Sequence, residues 1–145
     1  KSRKVADLFA GAGAFTFRLA EKSAVHALES DAGPISALDQ AWKLVQGLKP
    51  ISAERRDLFR RPLNTGELKA YDGVVFDPPR AGAEAQCVTL AKSGVRRIAA
   101  VSCNPLTLAR DLRILIDGGC KLLSVAPFDQ FLWSPHVEAV ALLER

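Results

Sequence analysis

Short apolar runs alternate along the chain with longer stretches in which apolar positions recur at helical spacing. Residues 5–9 form the first run and lead into a glycine loop, after which 14–22 read as a helix. A second strand is expected over 24–29. Asp31 can cap the next helix, and Pro34 falls in its first turn, where a missing N–H costs nothing. That helix is expected to reach Gln46 and stop before Gly47. Residues 51–57 make a more polar strand, suited to a sheet edge, and 71–76 make a fourth, stopped by Asp77-Pro78-Pro79. A helix over 83–93 follows, ended by Gly94. Residues 98–102 are the most apolar strand and are expected to be central. Asn104 then caps a helix that Pro105 opens and Gly118-Gly119 close. Residues 122–127 and 137–143 have no helix-length segment between them and should pair as an antiparallel hairpin.

Strands alternating with helices imply an α/β fold: a doubly wound, mostly parallel sheet of seven strands with an antiparallel C-terminal hairpin. Right-handed crossovers follow, and ligands of such sheets bind outside the carboxyl ends of the parallel strands. Chemistry is therefore sought at strand ends.

Composition narrows the class. The 145 residues, 48% hydrophobic and 25% charged, suit one globular domain. No apolar run approaches the ~18 residues of a membrane span, and the N-terminus does not read as a secretory signal. The chain has no methionine and enters its first strand straight after Lys1-Ser2-Arg3-Lys4, which suggests a piece of a longer polypeptide. Cys87, Cys103 and Cys120 are odd in number and lack CxxC spacing, which argues against a disulfide framework and a metal site and fits a cytoplasmic protein. The net charge is +4, with arginines paired at 55–56, 60–61 and 96–97. Such pairs suit a solvated surface or a phosphate-tracking face equally.

Four strand ends carry candidate chemistry. In "DLFAGAGAF", Gly11 and Gly13 turn the chain sharply from strand to helix, and Thr16 stands where a dinucleotide fingerprint needs a third glycine. Asp7 ahead of the turn suits an amine-bearing ligand, and Glu29 closes the second strand where an acid grips ribose hydroxyls. These features favour S-adenosyl-L-methionine over NAD. In "FDPPRAG", two prolines stiffen the exit behind Asp77, and Arg80 stands where amine-directed methyltransferases carry an aromatic. Cys103 ends the next strand with a helix opening behind it, a setting that favours the thiolate, whereas Cys87 and Cys120 read as packing residues. In "SPHVEAV", an antiparallel last strand brings His136 and Glu138 to the edge that holds Cys103 and Asp77. A thiol, a carboxylate base and a methyl donor suit addition to an electron-poor ring carbon, methylation of its neighbour, and proton removal.

Together, "DLFAGAGAF", "FDPPRAG", "VSCNPLTLARDL" and "HVEAVALL" resemble the catalytic domain of the RNA uracil-5-methyltransferase family over essentially the whole chain. The resemblance implies a Rossmann-like class I methyltransferase fold spanning residues 1–145, S-adenosyl-L-methionine as cofactor, and transfer or ribosomal RNA as partner, with a monomeric protein expected. It implies Cys103 as nucleophile on carbon 6 of uracil and Glu138 as the base that takes the carbon 5 proton. Asp7, Phe9, Gly11, Gly13, Glu29 and Asp77 are the implied cofactor contacts, and Arg110 is either structural or RNA-facing. The family commonly has Phe-Pro and a Thr ahead of His-Val-Glu, but this chain reads Phe131-Leu132-Trp133-Ser134-Pro135, which puts the loop shaping the uracil pocket in doubt. An N-terminal RNA-binding barrel and the segment before the first strand, usual in relatives, are missing from these residues. A base-amine methyltransferase using Asp77-Pro78-Pro79, or a catalytically silent RNA-binding module, remain the alternatives.

Overall fold

A computed structural model describes residues 3–129, 133 and 137–145. The elements run β1 (Lys4–Leu8), α1 (Thr16–Ala20), β2 (Ala24–Glu29), α2 (Ala32–Trp42), β3 (Ile51–Arg55) and α3 (Thr65–Leu68). They continue with β4 (Gly73–Phe76), α4 (Glu84–Ala91), β5 (Arg97–Ser102), α5 (Pro105–Asp117), β6 (Lys121–Phe128) and β7 (Glu138–Glu144). The described residues form one seven-stranded sheet in the order β3-β2-β1-β4-β5-β7-β6. All neighbours pair in parallel except β7, which runs antiparallel between β5 and β6.

The expected α/β architecture and its C-terminal hairpin are present, with β3 at one edge as expected. Central position belongs to β4, while β5 lies one place over, still paired on both sides. The second helix stops at Trp42, four residues short of Gln46, because Leu44 and Val45 are exposed and have no core to face. Asp31 caps it as expected, accepting from the Gly33 N–H. Helix α3 was not anticipated; the Asn64–Glu67 capping box that starts it is legible in the sequence. Pro127 is tolerated in β6 because that strand is the second edge.

Strict alternation divides the sheet into two faces. Ala6, Leu8, Val74, Phe76, Ile98, Ala100 and the β7 residues Ala139, Ala141 and Leu143 join the core cluster that includes Leu90 of α4 and Leu112 of α5. On the other face, α1 and α2 cover β1–β3 through Val25, Ala27, Ile35, Leu38 and Ile51. Among the described residues, no helix covers the β5–β7 part of that second face. Its concavity of about 610 Å³ includes Ala99 and Leu142 and is rimmed by Arg96 and Arg97, at the pole where the parallel strands begin.

Candidate functional site

The β1–α1 loop is built by glycine. Gly13 has φ +98°, and a Cβ there would lie 2.8 Å from the Phe17 ring and 3.0 Å from Leu38. Gly11 has φ +54° with nothing within 4 Å of a Cβ, so the loop presents open space at that point. Phe9 takes φ +60°, a left-handed conformation rare for a bulky residue, and its ring packs against Phe59 at 5.4 Å. Glu29, at the end of β2, braces the loop: Oε2 accepts the Gly11 N–H at 3.0 Å while Oε1 accepts the N–H groups of Ser30 and Asp31. A carboxylate has spare lone pairs, so Glu29 can still receive hydroxyl donors.

Asp7 lies deeper than the sequence suggested. Its side chain is fully buried beneath the loop, where Oδ2 accepts the Thr16 hydroxyl at 2.5 Å and Oδ1 has no hydrogen-bond partner among the described residues. Burial raises its pKa to about 6, the Thr16 bond opposes that rise, and the Asp77 carboxylate adds to it. Asp7 therefore supports the loop from below and is not open to a ligand in this arrangement. The open loop, Glu29 and a half-buried Asp77 fit an S-adenosylmethionine-like group, whose amine and ribose hydroxyls seek acceptors.

Asp77 follows β4 and is itself pushed up by burial. The loop behind it is tied to α5. The Arg80 carbonyl accepts from Asn104 Nδ2 at 3.0 Å and Thr107 Oγ1 at 3.1 Å, and the Ala81 carbonyl accepts from Arg110 Nη2 at 2.9 Å. Asp111, fully buried, accepts the Ala83 N–H at 2.6 Å and pairs with Arg110 at 2.8 Å. It serves as the missing cap of α4, whose own N-cap residue, Ala83, makes no side-chain bond. Arg110 thus ties the Asp77 loop to α5, which supports the structural one of the two roles the sequence left open. Gly82, with φ +79°, is enclosed by Arg110 and Asp111. Sequence reading missed Thr107 and Asp111, because their partners are backbone groups more than twenty residues away.

Cys103 sits between β5 and α5, half-buried, immediately before the Asn104 cap that pins the Asp77 loop. Cys87 and Cys120 are buried, as packing residues should be, and burial in an apolar setting pushes the Cys87 thiol far up. In the β5–β7 ladder Val101 pairs with Val140 and Ser102 with Ala139. The ladder ends at that last pair; residues 103 and 138 are the next positions along the two chains, and extending the register one step puts them opposite each other, on the sheet face that also carries Asp77. Directly opposed Cβ atoms lie roughly 4.5–5.5 Å apart. Asp77 and Glu138 both line a cleft of about 420 Å³, floored by Val101 and Val140 and flanked by Phe15 and Phe128. Cys103 stands beside this lining, not within it. His136 lies outside the described residues.

The arginine pairs do not form one face. Arg56 is consumed by Glu67, at 2.7 and 3.0 Å, and by the Arg61 and Pro62 carbonyls. Arg55 donates to the Ser30 carbonyl, and Arg96 and Arg97 lie at the opposite pole. Exposed Arg60, Arg61 and Arg80 follow the ends of parallel strands.

Residues 46–145 match the family model described as tRNA (Uracil-5-)-methyltransferase. An uncharacterized RNA methyltransferase of Agrobacterium fabrum is 64% identical over 145 residues, covering 100% of this chain and 35% of that protein. A 23S rRNA (uracil(1939)-C(5))-methyltransferase of Chromohalobacter salexigens is 40% identical over 144 residues, covering 98% of this chain and 29% of that protein. The chain thus spans about a third of the length of these curated relatives. Among solved structures, the Pyrococcus abyssi tRNA (uracil-54, C5)-methyltransferase in complex with S-adenosyl-L-homocysteine superposes with TM-score 0.80 at 28% identity, over 99% of this chain and 34% of that one. Magnesium protoporphyrin IX methyltransferase of Synechocystis, with bound SAM, shares the fold at TM-score 0.74 and 18% identity, covering 99% and 70%.

Proposed function

The chain belongs to the tRNA (uracil-5-)-methyltransferase family, and on that footing we propose that it methylates carbon 5 of a uridine in RNA through a covalent Cys103 adduct. The observation that supports the reading is the β5–β7 register, whose last pair Ser102–Ala139 leads directly to residues 103 and 138 on the face that holds Asp77. S-adenosylmethionine, when bound, supplies an electrophilic methyl group. The chain's own residues do the rest. The Cys103 thiolate adds to carbon 6, forming the S–C bond and shifting an electron pair toward carbon 5. That electron pair on carbon 5 takes the methyl group, whose bond to the donor's sulfonium sulfur breaks and leaves a neutral thioether. Glu138 then removes the proton left on carbon 5, restoring the double bond and expelling the thiolate. The Gly11–Gly13 loop and Glu29 hold the cofactor's amino-acid and ribose parts, and Asp77 faces the space between cofactor and base. Transfer and ribosomal RNA are both candidate substrates, since the chain is similar to enzymes of each kind.

The test incubates full-length protein with cofactor and RNA carrying 5-fluorouridine, whose carbon 5 has no proton to surrender. A stable protein–RNA adduct is expected, with the RNA mapped by mass spectrometry to Cys103. Cys103→Ala abolishes both adduct and turnover under this mechanism, whereas amine methylation through Asp77 would leave turnover intact. Glu138→Gln is expected to form the adduct on ordinary RNA and release it slowly. An adduct mapped to another residue, or full activity in Cys103→Ala, overturns the proposal.

A further inference from the structure

Resting on that reaction, we infer that Phe128 is the stacking wall for the target pyrimidine, holding its ring between the Cys103 sulfur and the Phe128 face. Phe128 closes β6, is paired directly with Glu138 in the β6–β7 ladder, and is 51% exposed at the cleft. Across the sheet the order is β5, β7, β6; Glu138 pairs with Phe128, and the β5–β7 register, extended one step past its last pair Ser102–Ala139, adds residue 103 to that row on the same face. Neighbouring strands are roughly 4.8 Å apart, so the outer two positions of the row are separated by about 9–10 Å. A planar base with van der Waals contact on both sides needs about 7–8 Å. The row therefore has the width of one pyrimidine standing on edge above the Glu138 side chain, which holds the middle position. One face meets the sulfur, the other meets the phenyl ring, and the carbon 5 edge points toward Glu138.

A uridine in structured RNA must leave its stack to reach such a thiol, and the enzyme has to replace the lost stacking. Among the described residues lining the cleft, Phe15 and Phe128 are the aromatic ones. Phe15 directly precedes α1, on the glycine-loop side, which leaves Phe128 as the ring next to the base.

Full-length Phe128→Ala, Phe128→Leu and Phe128→Trp proteins are tested on 23S rRNA and tRNA transcripts, both unmodified and substituted with 5-fluorouridine. For Phe128→Ala, the RNA concentration giving half-maximal methylation and half-maximal adduct rate rises by roughly 5- to 150-fold, the loss expected for one base–aromatic stack. Affinity for S-adenosylmethionine, by calorimetry, stays unchanged. Phe128→Leu keeps apolar bulk without a π face and shows most of the loss, while Phe128→Trp restores affinity. If wild-type protein forms the Cys103 adduct but Phe128→Ala or Phe128→Leu matches it in RNA dependence, the stacking role is overturned and the reaction stands. If wild-type protein forms no adduct, the reaction itself fails and this inference with it.

Discussion

Asp7→Asn isolates the energetic consequence of placing an acid beneath the cofactor loop. Burial moves Asp7 from an ordinary 3.8 to about 6, so between those values the folded chain holds a proton that the unfolded chain has released. Stability must then fall as pH rises through that window and level off above it. At about 1.4 kcal/mol per tenfold change in proton affinity, the full span is worth about 3 kcal/mol. Asparagine does not titrate, yet its Oδ1 can still accept the Thr16 hydroxyl. Its amide, placed where Asp7 Oδ1 lacks a partner among the described residues, adds a penalty that is the same at every pH. Subtracting one stability curve from the other therefore cancels that penalty together with every shared titration. Urea unfolding from about pH 3.5 to pH 7.5, followed by far-ultraviolet circular dichroism, should show the variant gaining about 3 kcal/mol on the wild type across the range. A difference that stays flat with pH would refute the assignment of Asp7 as a buried, reluctantly ionised acid. In an Asp77→Asn background the gain should shrink, because the neighbouring carboxylate contributes to the shift.

Other perturbations have defined outcomes. Gly13→Ala combines a positive φ with a Cβ 2.8 Å from Phe17 and should cost roughly 1–3 kcal/mol by denaturant unfolding, together with cofactor affinity. Asp111→Ala strips the buried Ala83 N–H and Arg110 of their acceptor and should cost about 3 kcal/mol in the same assay. Asn104→Ala loses both the cap on Leu106 N–H and the tie to the Arg80 carbonyl. It should lower stability by about 1 kcal/mol and reduce kcat for methyl transfer more than cofactor affinity, read by calorimetry and steady-state kinetics.

Local chemistry made much of the fold legible. Asp31, Asn104 and Pro105 mark helix starts where the structure has them, and 24–29 matches β2 end to end. Apolar spacing alone misjudged the end of α2, because Leu44 and Val45 look like core residues until the sheet is seen not to reach them. The one-edge clustering of Asp77, Cys103 and Glu138 was deducible, since it follows from strand direction. What escaped was whatever depends on partners distant in sequence: the burial of Asp7, the Asp111 clamp on the Ala83 amide, and the placement of Phe128 beside Glu138. Arginine pairing was uninformative because side chains of one doublet, such as Arg55 and Arg56, meet different partners.

Because β5 and β7 face each other through a ladder, the register that leads to residues 103 and 138 is indifferent to how much chain joins β6 to β7. Insertions at that hairpin tip should be tolerated and free to diversify recognition. A single-residue deletion at Ala139 or Val140 would instead put the two ends of β7 out of phase, so that with Ala141 and Leu143 kept in the core Glu138 turns to the other face of the sheet. Evolutionary freedom and rigidity are thus predicted to change abruptly where the hairpin strand begins.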